Sequence, residues 1–257
     1  MKNLRKKLLN KELTIGSWIS IDHYLIPDLL GKAGFDLLVI DMEHTTTGLK
    51  EMSILIDKIK MNGIVPFVRL PRIDEEIIKK VLDAGAMGLI APMVKTKADM
   101  DKLIEFSFYP PYGKRGVGLF KAQEFKDNFE NYCQSHKEDI VIIAQIEHID
   151  AVNNIEEILN NERLDGIMVG PYDLSASMGF PGQFEKDEVK LALEKVISSV
   201  RKSSKSLGFH VIEPEAEHAL AKIKEGYNFI AFSLDFLFLK RAAENEMKKI
   251  MRVTSGK

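Results

Sequence analysis

The stretch Phe35–Gly48, "FDLLVIDMEHTTTG", decides the fold. Its first half is apolar without alternation from Leu37 to Ile40, as in a strand covered on both faces. Its second half leaves the core through Asp41, Glu43 and His44, then three threonines and Gly48. A fully buried strand with charged residues at its C-terminal end is the pattern of a parallel α/β sheet, where chemistry sits beyond the carboxyl ends of the strands.

The same pattern recurs along the chain. Strands are expected at "TIGSWIS", "FDLLVIDM", "VPFVRLP", "MGLIAPMV", "IVIIAQIE", "LDGIMVG", "LGFHVI" and "FIAFSLD". Helix-period segments separate them, and "LFLKRAAENEMKKIMRV" closes the chain as a last helix. Gly34, Gly63, Gly85 and Gly226 each end a helix just before a strand, the place for a C-cap glycine. Eight strands alternating with eight helices predict a (β/α)8 TIM barrel of the α/β class. The rival, an open doubly wound sheet, needs a glycine-rich first turn, and "ISIDHYLIPD" (Ile19–Asp28) offers none. One connection breaks the rhythm: Tyr109–Lys137, with its aromatics and glycines, is expected to be an ordered lid or subunit contact.

Composition bounds the rest. With 257 residues, 45% hydrophobic, the chain can bury one large core, and residues 1–257 are expected to be a single domain. The net charge of −2 and the lack of a basic stripe argue against a nucleic-acid partner. The basic N-terminal stretch lacks the apolar run of a signal peptide, and no segment has the apolar length of a membrane span, so a cytoplasmic protein is expected. Cys133 is the only cysteine and reads as an ordinary free thiol.

The polar residues at the strand ends converge on one mouth: Asp41, Glu43 and His44; Arg69; Gln145, Glu147 and His148; Asp173; His210 and Glu213; Ser233 and Asp235. Each has a plain structural alternative. Asp173 could cap a helix, Glu147 could favour a helix dipole, Arg69 could bridge structural carboxylates, and His44 could be a structural histidine. Four such groups at one mouth would otherwise require four separate burials of polar groups. Glu147 and Asp173, on adjacent strands five and six, suit a hard divalent ion that keeps waters or takes substrate oxygens. Arg69 offers a planar fork for a carboxylate. Together these describe a 2-oxo acid site, with the ion stabilising an enolate and a histidine moving a proton.

The segments "IDMEH", "VRLP", "VLDAGA", "IAPMV", "YPPYGKRGVG", "QIEHIDAVNNIEEIL" and "DGIMVGPYDLSASMG" run in order over nearly the whole chain. They resemble the class II, metal-dependent pyruvate aldolases of the 4-hydroxy-2-oxoheptanedioate and 2-dehydro-3-deoxyglucarate aldolase type. The resemblance implies a phosphoenolpyruvate/pyruvate-type barrel, a hexamer or dimer-based homo-oligomer, and exchange of the last helix (about residues 236–253) between paired subunits. It implies Mg2+, Mn2+ or Co2+ at Glu147 and Asp173, with no organic cofactor. Arg69 would stabilise the pyruvate enolate. His44 would pair with Asp83 as the acid/base dyad, while Gln145 and the backbone from Gly170 to Asp173 hold pyruvate. The implied reaction is reversible cleavage of a 4-hydroxy-2-oxo acid to pyruvate and an aldehyde.

The chain departs from that pattern at Met42, His148 and Tyr172, the last expected beside the pyruvate site. Gln123 stands where dicarboxylate-cleaving members place an arginine, and Lys121 lies close by. A polyhydroxylated sugar aldehyde would suit Gln123 and His210 as hydrogen-bonding groups. The alternatives are a lyase with a changed acceptor in sugar-acid or polysaccharide metabolism, a CoA-thioester lyase, and a Schiff-base aldolase built on Lys95.

Overall fold

The computed structural model describes residues 4–254. Its strands are β1 (Thr14–Ile19), β2 (Leu37–Asp41), β3 (Val65–Arg69), β4 (Gly88–Ala91), β5 (Val141–Ile146), β6 (Gly166–Val169), β7 (Ser206–Val211) and β8 (Phe229–Leu234). Each pairs in parallel with the next, and β8 returns to β1, closing the expected eight-stranded barrel.

The strand register arranges the barrel interior in tiers, each drawn from alternate strands. Gly16, Phe67, Ile143 and Gly208 form one tier on odd strands, and Val39, Ile90, Met168 and Ala231 form the next on even strands. Gly208 belongs here because a Cβ would lie 2.7 Å from the Phe229 ring. The topmost odd-strand tier is different in kind: Trp18, Arg69, Gln145 and His210. A tier that should be aliphatic for packing is polar or aromatic at all four positions. That tier is the floor of the site.

A larger apolar core fills the space between sheet and helices, with Ile40, Met52, Ile56, Val81, Ile104, Ile158, Leu174 and Val196 among its members. Because each helix runs back along its strand, helix starts lie at the mouth and helix ends at the opposite end. Asp74 caps the helix Glu75–Asp83 by accepting from the Ile77 N–H at 3.0 Å, and Thr96 with Asp99 forms a capping box on Lys97–Ser107.

One feature escapes the sequence pattern and another departs from one of its readings. A short helix, Leu4–Leu9, closes the lower end, burying Leu8 against the interior tiers. The long connection is ordered, as expected, with a 3-10 turn at Lys121–Lys126 and a helix at Phe129–Asp139. It is no lid over this chain's own mouth. Lys121 bonds Ser53 Oγ at 2.9 Å and Asp57 at 2.5 Å, while Arg115 and Gln123 both reach Asp83, so the segment lies along the outer helices. No helix among the described residues is long and apolar enough to cross a membrane.

Candidate active site

Arg69 organises the floor. Its Nε and Nη2 donate to the two Asp41 carboxylate oxygens at 2.8 and 2.6 Å, a bidentate pair. Burial alone would raise the Asp41 carboxyl, but the Arg69 bonds and charge hold it below the ordinary carboxylate range. The guanidinium lies 4.3 Å above the Trp18 ring, and Trp18 in turn packs against His210 at 5.2 Å between centroids. Burial first, then the Arg69 charge, push the His210 imidazole down to about 3, so the ring is neutral at physiological pH. Trp18 Nε1, Gln145 Oε1 and His210 Nε2 are buried without hydrogen-bond partners. Unmet polar atoms at such density mark a surface built for something other than the protein itself.

Beside the floor is a group of carboxylates. Glu147 follows β5, is buried, and accepts from the Met93 N–H at 2.7 Å and from the Gln145 side-chain amide. Burial raises its carboxyl, and the nearby Asp173 charge adds to this. Gly170 permits the approach of β6 to Glu147, since a Cβ there would lie 2.9 Å from Glu147 Cβ. Asp173 lies in the first turn of the helix Pro171–Ser177, which starts with Pro171 and has no side-chain cap bond. Asp173 is therefore not spent on capping. Glu43 completes the group: its Oε2 lacks a hydrogen bond, lying 3.4 Å from Arg69 Nε and 3.7 Å from His44 Nε2. Burial and the charges of Glu147, Asp41 and Asp173 outweigh Arg69 and push Glu43 to about 7. Two carboxyls pushed up in this way, with the Asp173 charge beside them, favour a cation among them. Among the described residues no cluster of three or more His, Cys, Asp or Glu side chains stands ready-made as a metal cage. The donor set fits a hard ion that keeps several waters or substrate oxygens.

The structure thus brings Arg69, Gln145, Gly170, Asp173, Tyr172 and His210 onto one cavity of about 710 Å³. Glu147 and His44 stand at the same mouth, the His44 side chain being 62% exposed. Asp83 and Gln123 are elsewhere. Asp83 ends the helix after β3, at the opposite end of the barrel from His44, which follows β2 directly. Strands of this length separate the two ends by roughly 15–20 Å. Asp83 instead binds the buried Arg115 at 2.5 Å and the Gln123 amide at 3.2 Å. Gln123 is fully buried, donating also to Tyr109 Oη at 2.9 Å and accepting from the Phe120 N–H at 3.1 Å. Within this chain it is a structural residue that contacts no part of the mouth.

Other strand-end residues find structural work. His148 accepts from the Asp150 N–H at 3.1 Å and caps the helix Ile149–Asn153. Met42 packs against the main core and does not narrow the mouth. Asp235 pins the β1 loop by accepting from the Ser20 and Ile21 N–H groups. Lys95 precedes the helix Lys97–Ser107 and is not among the cavity-lining residues, which removes the positional basis for a Schiff base. Sequence reasoning passed over Trp18. It is the only tryptophan, and it lies two residues past Gly16 on β1, so strand alternation turns it inward.

Comparison with known proteins agrees with this geometry. The family model for HpcH/HpaI aldolase/citrate lyase matches residues 14–242. The 2-keto-3-deoxy-L-rhamnonate aldolase of Escherichia coli (strain K12) is 31% identical over 245 residues, 95% of this chain and 91% of that protein. The HpcH/HpaI aldolase from Desulfitobacterium hafniense DCB-2 superposes with a TM-score of 0.88 at 30% identity, covering 97% of this chain and 96% of the other. Citrate synthase SbnG gives a TM-score of 0.86 at 26% identity, over 98% and 99% of the two chains. The family match and the aldolase relatives define an aldehyde-lyase, carried on a closed (β/α)8 barrel with an arginine-centred polar floor and acids just beyond β5 and β6. The chain belongs to the HpcH/HpaI aldolase/citrate lyase family, and it is an aldolase that splits a 4-hydroxy-2-oxo acid into pyruvate and an aldehyde.

Proposed function

We propose that this cleavage is carried out by Arg69, His44, Glu147 and Asp173 with a divalent cation. The observation that carries the reading is the mutual crowding of Glu43, Glu147 and Asp173 beside Arg69. Mg2+, Mn2+ or Co2+ held by Glu147 and Asp173 would supply Lewis acidity toward the 2-oxo group of the substrate. Arg69 is fixed by Asp41 and Trp18, so its positive charge is in place where the enolate oxygen develops charge. Gln145 and the Gly170 backbone orient the pyruvate half. His44, exposed at the mouth, takes the proton from the 4-hydroxyl during cleavage and returns it during condensation.

Asp83 can support His44 only from a second copy of the chain, because the two lie at opposite ends of one barrel. A homo-oligomer is supported by two exposed apolar surfaces. One includes Val117, Leu119 and Phe125 on the long connection; the other includes Leu239, Met247 and Ile250 on the last helix, Asp235–Thr254. Exchange of that helix between copies would cover its apolar side chains.

The test is solvent deuterium exchange into the pyruvate methyl group, followed by NMR with Mn2+ and with EDTA. Metal-dependent exchange that is lost in Arg69→Ala is expected. No exchange and no pyruvate binding under any metal would overturn the reading. Mixing His44→Ala and Asp83→Ala proteins tests the second part, since hybrid assemblies would recover activity that neither variant has alone.

A further inference from the structure

Asp83 is an acid in an unfavourable place. It ends the helix Glu75–Asp83, where the helix dipole disfavours negative charge. Two buried groups hold it there. Arg115 Nη2 donates to Asp83 Oδ1 at 2.5 Å, and the Gln123 amide donates to the same oxygen at 3.2 Å. The Arg115 side chain is 0% exposed, that of Asp83 14%. Arg115 Nη1 donates to Tyr132 Oη at 3.0 Å, and the guanidinium lies 4.9 Å from the Tyr109 ring centroid. Its Nε is buried without a hydrogen bond. Gln123 is committed to the same network, through Tyr109 Oη and the Phe120 N–H.

Such a pair is an expensive way to stabilise a fold. A buried arginine–carboxylate pair seldom contributes more than apolar side chains of the same volume. What it does secure is the geometry of Asp83. Oδ1 takes both donors, and Oδ2 lies over Gly118, where a Cβ would be 2.6 Å away. The φ of Gly118 is outside the left-handed region, so its missing side chain leaves space and serves no backbone need. Its neighbours Val117, Leu119 and Phe120 are exposed apolar side chains, the kind of surface a second copy covers. A fixed carboxylate oxygen therefore stands in open space within an apolar patch.

Resting on the reading that Asp83 serves His44 of a second copy, we infer that Arg115 and Gln123 are positioning residues of that acid/base pair. They fix Asp83 so that Oδ2 meets the incoming imidazole, and Gly118 keeps the approach open. His44 is free to be that group: it is exposed at the mouth, and Glu43 Oε2, 3.7 Å from its Nε2, is beyond hydrogen-bond reach. The Arg115 network thus acts on a mouth that its own chain does not form.

The experiment is complementation. Differently tagged variants are co-expressed, hybrid assemblies are isolated, and condensation of pyruvate onto acetaldehyde, glycolaldehyde and glyceraldehyde is measured with Mn2+. Arg115→Met alone should lower kcat about 10²-fold and leave the KM for pyruvate unchanged, since only the proton-transfer step loses its support. Its hybrids with His44→Ala should regain activity, because one pairing of the two chains restores an intact site. Its hybrids with Asp83→Ala should not, because both lesions fall on the same side of the contact. Gly118→Ala places a methyl against Asp83 Oδ2 without disturbing the buried arginine, and should sort with Asp83→Ala in the same way. The inference therefore does not depend on the folding of Arg115→Met. Parental kcat in Gly118→Ala, or recovery of either variant by Asp83→Ala, overturns the inference and leaves the shared site standing, provided that hybrids of His44→Ala with Asp83→Ala are active. Inactive hybrids of those two overturn the shared site and the inference together.

Discussion

The two ends of the barrel handle polar groups in opposite ways. At the lower end Asp165 is fully buried yet fully served: Arg5 Nε donates at 2.8 Å and the Ile142 N–H at 2.8 Å. Burial still raises its carboxyl to about 6. Ser206 donates to the Leu8 carbonyl at 2.7 Å and accepts from Asn228 at 2.8 Å. At the mouth, Trp18, Gln145, Glu43 and His210 each leave a buried atom unmet, and three acids crowd together. Around Asp165 and Ser206 the lower end is arranged for stability. The upper end accepts unfavourable burial and repulsion so that a ligand can satisfy them.

Substitutions should separate the two ends cleanly. The largest effect is expected for Glu147→Gln, which should lower kcat/KM by about 10²–10³. Because it removes one of the repelling charges, its Tm should equal or exceed that of the parent. A drop in Tm would show that Glu147 serves the fold as well as the reaction. Arg5→Ala is the converse. It strands the buried Asp165 charge and should cost about 3 kcal/mol of stability, read as a Tm fall of roughly 6–12 °C. Its kcat/KM at 25 °C should be unchanged, and a change would mean the two ends are coupled.

A smaller, pH-dependent difference belongs to His210. An unfolded histidine protonates near 6.5, whereas folded His210 stays neutral down to about 3. The unfolded chain thus binds a proton that the folded chain refuses, so this contribution is present above about pH 6.5 and is lost as pH falls toward 3. Denaturant titrations from pH 7 to 4 should show a shallower loss of stability for His210→Phe than for the parent. The smallest effect is expected for Lys95→Ala. It should stay within about twofold of parental kcat/KM, and borohydride with pyruvate should trap no adduct.

Much of this was legible in the chain alone. The eight apolar runs, each ending in polar residues and separated by helix-period segments, specify the closed barrel because strands buried on both faces must be apolar throughout. The gathering of Arg69, Glu147 and Asp173 at one mouth was readable because the carboxyl ends of parallel strands face the same space. Local chemistry also accounts for the caps at Asp74 and Thr96.

What only the tertiary structure decided are relations between residues distant in the chain. Sequence motifs placed Gln123 and Asp83 at the mouth with His44. The fold puts them at the far end of the same barrel, joined to Arg115, because a helix that follows its strand must run back along it. It also decided that Trp18, Arg69, Gln145 and His210 form one tier, a consequence of strand register and barrel shear that no single segment encodes.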